Sequence, residues 1–377
     1  MEGSNNAKIL FCDNTLWGLV NFRGDVISYF KKKGFDIVLV APEKEDGQMR
    51  TDRPAGVRYI PVRMKRTATD PISDLEYFLQ LYRIIKSESP DYVFNYTIKP
   101  NIYGSIAAKL NHCRTTAMMT GLGYIFKADT LKARFARMLY RFGLSYTDKL
   151  MLLNADNYKF VVSRHFCKED KAILLEGGEG VNLDKFHVYD NASDSTIFLF
   201  IGRLSWDKGY GEFVQAAKEV KSKHPEAVFR MVGSLDPAYP NNVPLETVKR
   251  DERDGWVEYM GFTRDMDVVY RQKGIVVVLP SYFEGMNRSL MEACASGKPI
   301  ITTDIGGCRE MVDDGGNGFL VKPRDAASLA DAMLRYMRLT DEEKKRFSVN
   351  SRKLAERRFD VKKVISVYEK IIESARS

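Results

Sequence analysis

The 377-residue sequence contains no long hydrophobic run and no closely spaced pair of cysteines. No apolar stretch approaches the roughly 20 residues that a membrane-spanning helix requires. The first ten residues hold one lysine and no apolar run, so we expect no signal peptide. The five cysteines are scattered singly, which favours a reducing compartment and excludes a disulfide framework or a zinc site of the CxxC type.

The charge balance is basic, with 58 Lys and Arg against 50 Asp and Glu, a net charge of +8. A basic surface suits nucleic acid, an anionic membrane or phosphorylated small molecules, and charge alone does not choose among them. Zinc-finger spacing, RNP-like motifs and basic-region heptads are missing from the sequence. We therefore expect no nucleic-acid partner and rank a basic nucleic-acid-binding protein last among the alternatives.

Apolar strands alternate with helical segments in both halves of the chain, a pattern typical of doubly wound parallel sheets. The length is too great for one ordinary core, so two α/β domains are predicted. We place the first at residues 1–186, the second at 187–355, and a final helical segment at 356–377. Ligands of such domains lie beyond the carboxyl ends of the strands, so the chemistry is expected on the loops that follow strands.

One such loop follows the apolar strand 275–279 and leads into a helix that begins near Ser289. The amides and dipole of a helix start favour anions, while the carboxylates of Glu284 and Glu292 suit sugar and ribose hydroxyls. Ser289 and Glu292 also match a capping box, in which the Glu side chain turns back to the helix start. Capping and ligand binding compete for Glu292, and the spacing alone leaves both open.

A second loop, residues 201–209, follows a strand and offers the cations Arg203 and Lys208. Arg grips a phosphate bidentately and Lys acts as a point charge, although both are equally at home on a solvated surface. Gly306-Gly307 would permit close approach of the backbone to a ligand, or form an ordinary turn. Asp265-Met266-Asp267 matches a DxD metal pattern, but it precedes a helical segment, so we interpret Asp265 as a helix cap. We predict no metal site and no cofactor.

Taken together, the second half resembles the donor domain of the family 4 retaining glycosyltransferases, which have the GT-B fold: two Rossmann-like domains facing across a cleft. The resemblance depends on motifs that occur in a fixed order. They are Gly202-Arg203, Lys208-Gly209, Glu284 and Glu292 in E-x7-E spacing, Gly297-Lys298-Pro299, Gly306-Gly307 with Glu310, and 315–320 before Pro323.

The resemblance implies roles for these residues. Arg203 and Lys208 would bind the donor diphosphate, Glu292 the ribose hydroxyls and Glu284 the transferred sugar. The backbone amides of Met286, Asn287 and Arg288 would approach the β-phosphate. It also implies transfer with retention of configuration and without a metal, catalysed by Arg203, Lys208 and Glu284.

The first half is similar to the branch that builds bacterial surface polysaccharides on lipid-linked saccharides, through Asn21-Phe22-Arg23, 96–101 and Thr120-Gly121-Leu122-Gly123-Tyr124. Many relatives carry His where this sequence has Thr120, so we assign no catalytic His. The resemblance implies a nucleotide sugar, UDP-linked and of the N-acetylhexosamine or galactose type. It further implies a saccharide or polyprenyl-diphosphate saccharide acceptor and a final helix that packs on the first domain. A nucleotide-sugar 2-epimerase of the same fold is the enzymatic alternative.

The segment 127–144 has the pattern of a basic amphipathic helix. Five apolar residues share one face at steps of three and four: Leu131, Phe135, Met138, Leu139 and Phe142. Beside them Arg134, Arg137 and Arg141 form a basic stripe, which suits an anionic membrane and a lipid-linked acceptor. We therefore expect a cytoplasmic protein that is peripheral at the inner face of the plasma membrane. The alternative is an apolar face packed into the first domain, with solvated arginines.

Overall fold

The computed structural model describes residues 7–42, 53–65, 70–122, 126, 129–193, 195–237 and 239–374. The chain divides into two compact units, one comprising the described residues up to Glu179 and those from Val361 onward, the other Gly180–Asp360. The sequence analysis placed these boundaries after residues 186 and 355. Residues 180–186 belong to the second unit because Val181 is fully buried in its core and its amide donates to the Phe359 carbonyl at 2.7 Å.

The first unit contains a seven-stranded parallel sheet in the order β3-β2-β1-β4-β5-β6-β7. Its strands are β1 (Lys8–Cys12), β2 (Asp36–Pro42), β3 (Arg58–Val62), β4 (Tyr92–Tyr96), β5 (Arg114–Met119), β6 (Lys149–Leu152) and β7 (Ala172–Leu174). Its helices are α1 (Leu16–Lys32), α2 (Pro71–Glu88), α3 (Ser105–Leu110), α4 (Leu131–Ser145) and α5 (Ala155–Ser163), with a π-helical turn at Pro100–Gly104. Strand β4 is wholly buried, and β1 and β5 are buried beyond their first residues, Lys8 and Arg114, as expected for strands covered on both faces.

The second unit contains a six-stranded parallel sheet in the order β10-β9-β8-β11-β12-β13. Its strands are β8 (Ile197–Ile201), β9 (Val228–Val232), β10 (Glu258–Tyr259), β11 (Ile275–Leu279), β12 (Ile300–Thr303) and β13 (Gly318–Val321). Its helices are α6 (Tyr210–Lys223), α7 (Leu245–Arg253), α8 (Met266–Tyr270), α9 (Arg288–Ala295), α10 (Ala326–Met337) and α11 (Asp341–Arg358). Because strand order reverses between the paired strands β8 and β11, their following loops meet at the topological switch point.

The last helix, α12 (Val361–Glu373), lies on the first unit. Tyr368 and Tyr96 share a hydrogen bond of 2.8 Å between their hydroxyls, and the Tyr92 hydroxyl donates to the Ile372 carbonyl at 2.9 Å. These buried tyrosines tie α12 to the first sheet. Within the described residues, no helix combines the length and apolar character needed to cross a membrane.

The polar residues of the segment 13–23 predict a loop, but the structure begins helix α1 at Leu16, inside that segment. The Thr15 hydroxyl caps the helix by accepting from the Gly18 amide at 2.9 Å. Arg23 lies on the buried face, where its guanidinium pairs with Asp13 at 3.2 Å and with Glu179 at 2.6 Å. A charged residue on the buried face therefore conceals the apolar periodicity of the first helical turns.

Candidate functional site

The loop after β8 presents Arg203 with its charge uncompensated by a carboxylate. Its guanidinium carbon lies 4.2 Å from the centre of the Tyr239 ring. No described residue forms an ion pair with it. Such a guanidinium keeps the in-plane N–H donors that grip a diphosphate.

Lys208 and Glu284 are brought together from the loops after β8 and β11. Lys208 ends a 3-10 turn, Trp206–Lys208, and its ammonium group forms an ion pair with Glu284 Oε1. The Asn287 side-chain amide donates to the same oxygen at 3.1 Å. Gly209 permits this approach, because a Cβ at this position of positive φ would lie 2.2 Å from the Pro280 carbonyl oxygen. The cation and carboxylate predicted on separate loops therefore form one cluster, in which only 9% of the Glu284 side chain is exposed.

The start of α9 is organised by Asn287. Its side chain caps the helix by accepting from the Leu290 amide at 3.0 Å, and its own amide donates to the Gly307 carbonyl at 3.2 Å. The Asn287 amide is thus engaged with protein, unlike the role that the family resemblance implies for it. Gly307 also contacts protein rather than ligand. A Cβ at Gly307 would lie 2.5 Å from the Gly285 carbonyl oxygen, so the glycine permits close approach of these two backbone segments.

Glu292 lies one turn into α9, where its carboxylate accepts from Arg288 Nε at 2.8 Å. The capping-box interpretation is wrong, because Asn287, not Ser289, is the N-cap. Only 13% of the Glu292 side chain is exposed. Burial raises the pKa of this carboxyl group, and the Arg288 charge opposes that rise without cancelling it. A nearly buried carboxylate that one guanidinium engages keeps further acceptor positions, which suit the hydroxyl donors of a ligand.

Replacing Glu292 by Gln should therefore weaken nucleotide binding without lowering stability at neutral pH. The raised pKa means that the folded state favours the neutral carboxyl group. Its stabilising contribution is present below about pH 4.5 and is lost as pH rises through the folded pKa. Gln escapes this loss, so the unfolding free energy of Glu292→Gln relative to the native protein should increase with pH. Denaturant unfolding at several pH values measures the stability difference, and nucleotide titration measures the affinity. Unchanged nucleotide affinity in Glu292→Gln would contradict the ligand role of Glu292.

The Asp265-Met266-Asp267 pattern has a structural role. Asp265 caps α8 by accepting from the Val268 amide, as the sequence predicts. Asp267 accepts from the Tyr189 hydroxyl at 2.8 Å and from Arg271 at 3.1 Å. Within the described ranges, His, Cys, Asp and Glu form no group of three or more with metal-binding geometry.

Sequence analysis missed two side chains that organise the site, those of Tyr239 and Asp207. The Tyr239 hydroxyl donates to Asp207 Oδ2 at 2.6 Å, and the Tyr282 amide donates to the Asp207 carbonyl at 2.9 Å. Burial, and then the bond to Asp207, raise the pKa of Tyr239 to about 12. Tyr239 lies in a polar loop far along the chain from Arg203, so no short motif contains both.

In the first unit, α4 buries one face and exposes the other. Its buried residues are Ala133, Tyr140, Gly143 and Leu144. The opposite face exposes more than half of each of four apolar side chains, here called the exposed stripe: Leu131, Phe135, Met138 and Phe142. Leu139, the fifth residue of the predicted apolar face, packs against the core. The alternative of an apolar face packed into the domain therefore holds for Leu139 alone among these five residues. Arg134 and Arg141 are exposed and Arg137 is half-buried. Lys127 at the start of the predicted segment, and Gly123 and Tyr124 of the first-half motif, lie outside the described residues.

Comparison with known proteins agrees with this architecture. Residues 183–354 match the sequence family described as Glycosyl transferases group 1, and residues 8–154 match Glycosyl transferase 4-like. Among solved structures, sucrose-phosphate synthase of Thermosynechococcus elongatus superposes with a TM-score of 0.81 at 16% identity, covering 98% of this chain and 99% of that one.

Two curated relatives extend over most of the chain. N,N'-diacetylbacillosaminyl-diphospho-undecaprenol alpha-1,3-N-acetylgalactosaminyltransferase of Campylobacter jejuni is 28% identical over 342 residues, 86% of this chain and 88% of the relative. UDP-Gal:alpha-D-GlcNAc-diphosphoundecaprenol alpha-1,3-galactosyltransferase of Escherichia coli is 26% identical over 324 residues, 80% of each. The chain belongs to the family 4 glycosyltransferases of GT-B fold, as its motifs predict.

Proposed function

We propose that this glycosyltransferase moves a sugar, of the N-acetylhexosamine or galactose type, from a UDP-linked donor to a polyprenyl-diphosphate-linked saccharide in bacterial surface polysaccharide synthesis. The observation that carries the donor half is the site at the switch point of the second sheet, where Lys208 pairs with Glu284 and Arg203 lies on the same loop as Lys208. The names of the Campylobacter jejuni and Escherichia coli relatives support the acceptor and sugar class.

The proposed reaction retains the configuration of the transferred sugar. The bond between the anomeric carbon and the β-phosphate oxygen breaks, and its electron pair leaves with the diphosphate. The acceptor hydroxyl forms the new bond on the same face and gives its proton to the departing phosphate oxygen. Arg203, Lys208 and the start of α9 stabilise the growing negative charge. In this scheme Glu284 orients the sugar and Glu292 the ribose.

The experiment is a thermal-shift screen of UDP-, GDP- and ADP-sugars, because a bound donor raises apparent stability. It is followed by transfer to a polyprenyl-diphosphate saccharide, with the anomeric configuration read by NMR. A stabilising UDP-sugar and a product of retained configuration support the proposal. Conversion of the UDP-sugar without an acceptor would instead identify a 2-epimerase.

Transfer should also continue in EDTA, because the cations Arg203 and Lys208 take the place of a divalent metal at the diphosphate. The roles of Asp265 and Asp267 in capping and side-chain pairing support this expectation. The measurement is turnover before and after EDTA treatment. Complete loss of activity that Mn²⁺ or Mg²⁺ restores would contradict this expectation and favour a metal at Asp265 and Asp267.

A further inference from the structure

Arg203 depends on a neighbour for its orientation. A long side chain without an ion pair samples many rotamers, and ordering it upon binding costs conformational entropy. The ring of Tyr239 lies against its guanidinium, at 4.2 Å from the ring centre, which is within cation–π range. Stacking uses the face of the guanidinium plane and leaves the N–H donors at its edge available to a diphosphate.

The Tyr239 ring is itself fixed from two sides. Its hydroxyl donates to Asp207 Oδ2 at 2.6 Å, in the same 3-10 turn that ends with Lys208. The Tyr239 backbone carbonyl accepts from the Asn242 amide. The neighbouring Asn241 carbonyl accepts from the Trp206 amide at 2.9 Å, which ties this segment to the loop after β8. The tyrosine therefore connects the Arg203 guanidinium to the turn that carries the second cation.

We propose that Tyr239 is a positioning residue that holds Arg203 in its diphosphate-binding orientation through the ring and locks the ring through Asp207. The proposal rests on the donor-binding function proposed above. It assigns to the phosphate half of the nucleotide a residue that lies outside the Gly-Arg…Lys-Gly loop. Tyr239 acts on the diphosphate only through Arg203, so its loss should be selective for ligands that carry phosphate.

The test compares Tyr239→Leu and Tyr239→Phe by titration with UDP and with uridine, alongside donor KM and kcat. Tyr239→Leu removes the ring and should weaken UDP binding about tenfold, which equals about 1.4 kcal/mol, and leave uridine binding unchanged. Tyr239→Phe keeps the ring and should retain most of the UDP affinity. In an Arg203→Ala background, Tyr239→Leu should have no further effect on UDP binding.

Tyr189→Leu is the matched control, because Tyr189 has the same two contacts elsewhere in the second unit. Its hydroxyl donates to Asp267 Oδ2 at 2.8 Å and its ring lies 5.5 Å from the Arg271 guanidinium. It should change stability without changing UDP affinity. Equal losses of UDP and uridine binding in Tyr239→Leu, or an undiminished effect without Arg203, would overturn the positioning role. A native protein that binds none of UDP, GDP and ADP would instead defeat the proposed function itself.

Discussion

Replacing Arg203 by Ala should lower turnover by at least roughly 100-fold, the effect of removing one preorganised charge donor from a transition state. Arg203 has no carboxylate partner among the described residues, so its charge is available to the diphosphate. Folding should be little affected. The measurement is kcat/KM with the UDP-sugar and a saturating acceptor, together with the Tm of the purified variant.

Arg335→Ala is a matched control for this substitution. Arg335 also lies in the second unit and stacks on an aromatic ring, with its guanidinium 4.2 Å from the centre of Phe319. Losing that contact should leave turnover unchanged. Native-like rates in a folded Arg203→Ala variant would remove Arg203 from the donor site.

Lys208→Ala should also lower turnover by at least roughly 100-fold, for two reasons. The substitution removes a cation and leaves the nearly buried Glu284 carboxylate without its ion-pair partner, where it repels the diphosphate. Lys208→Ala combined with Glu284→Gln removes that repulsion and should recover part of the donor affinity. No recovery of affinity would show that repulsion by Glu284 contributes little.

The sequence places Arg203, Lys208 and Glu284 on loops that follow plain apolar strands, so their position at the ligand-binding edge of the second sheet could be predicted. Parallel strands place their carboxyl ends at one edge, and β8 and β11 turned out to be neighbours. Local sequence patterns do not predict a feature that depends on a contact between residues far apart in the chain. Asn287 rather than Ser289 caps α9 because the Gly307 carbonyl fixes its backbone, and Gly307 lies on a different loop.

The same limit applies to domain boundaries and to helix faces. Val181 joins the second core by pairing with Phe359, a contact between residues far apart in the sequence. Periodicity identified the apolar side of α4, but periodicity is identical for a side that packs on a core and one that faces solvent. Only tertiary structure shows that Tyr140 and Leu144 point inward and Phe135 and Met138 outward.

The outward face of α4 leads to another large expected effect: the native protein should sediment with anionic liposomes at low salt, through α4. The exposed stripe would enter the headgroup region, and each cation near an anionic surface contributes about 1 kcal/mol. Arg134, Arg137 and Arg141 changed together to Ser should therefore reduce binding by roughly a hundredfold. Turnover on a long-chain polyprenyl acceptor should fall with it, while turnover on a short-chain acceptor should not.

Three comparisons separate membrane binding from general charge loss or unfolding. Lys249, Arg250 and Arg253 on α7 changed together to Ser remove the same charge from the other unit and should leave sedimentation unchanged. Arg134→Ser with Arg141→Ser spares the half-buried Arg137 and should retain the native Tm. Phe135→Ser with Met138→Ser keeps every charge, and should weaken binding even where salt has already screened the arginines. If the native protein does not sediment with anionic liposomes at low salt, α4 does not bind membranes, and a water-soluble acceptor becomes the better assignment.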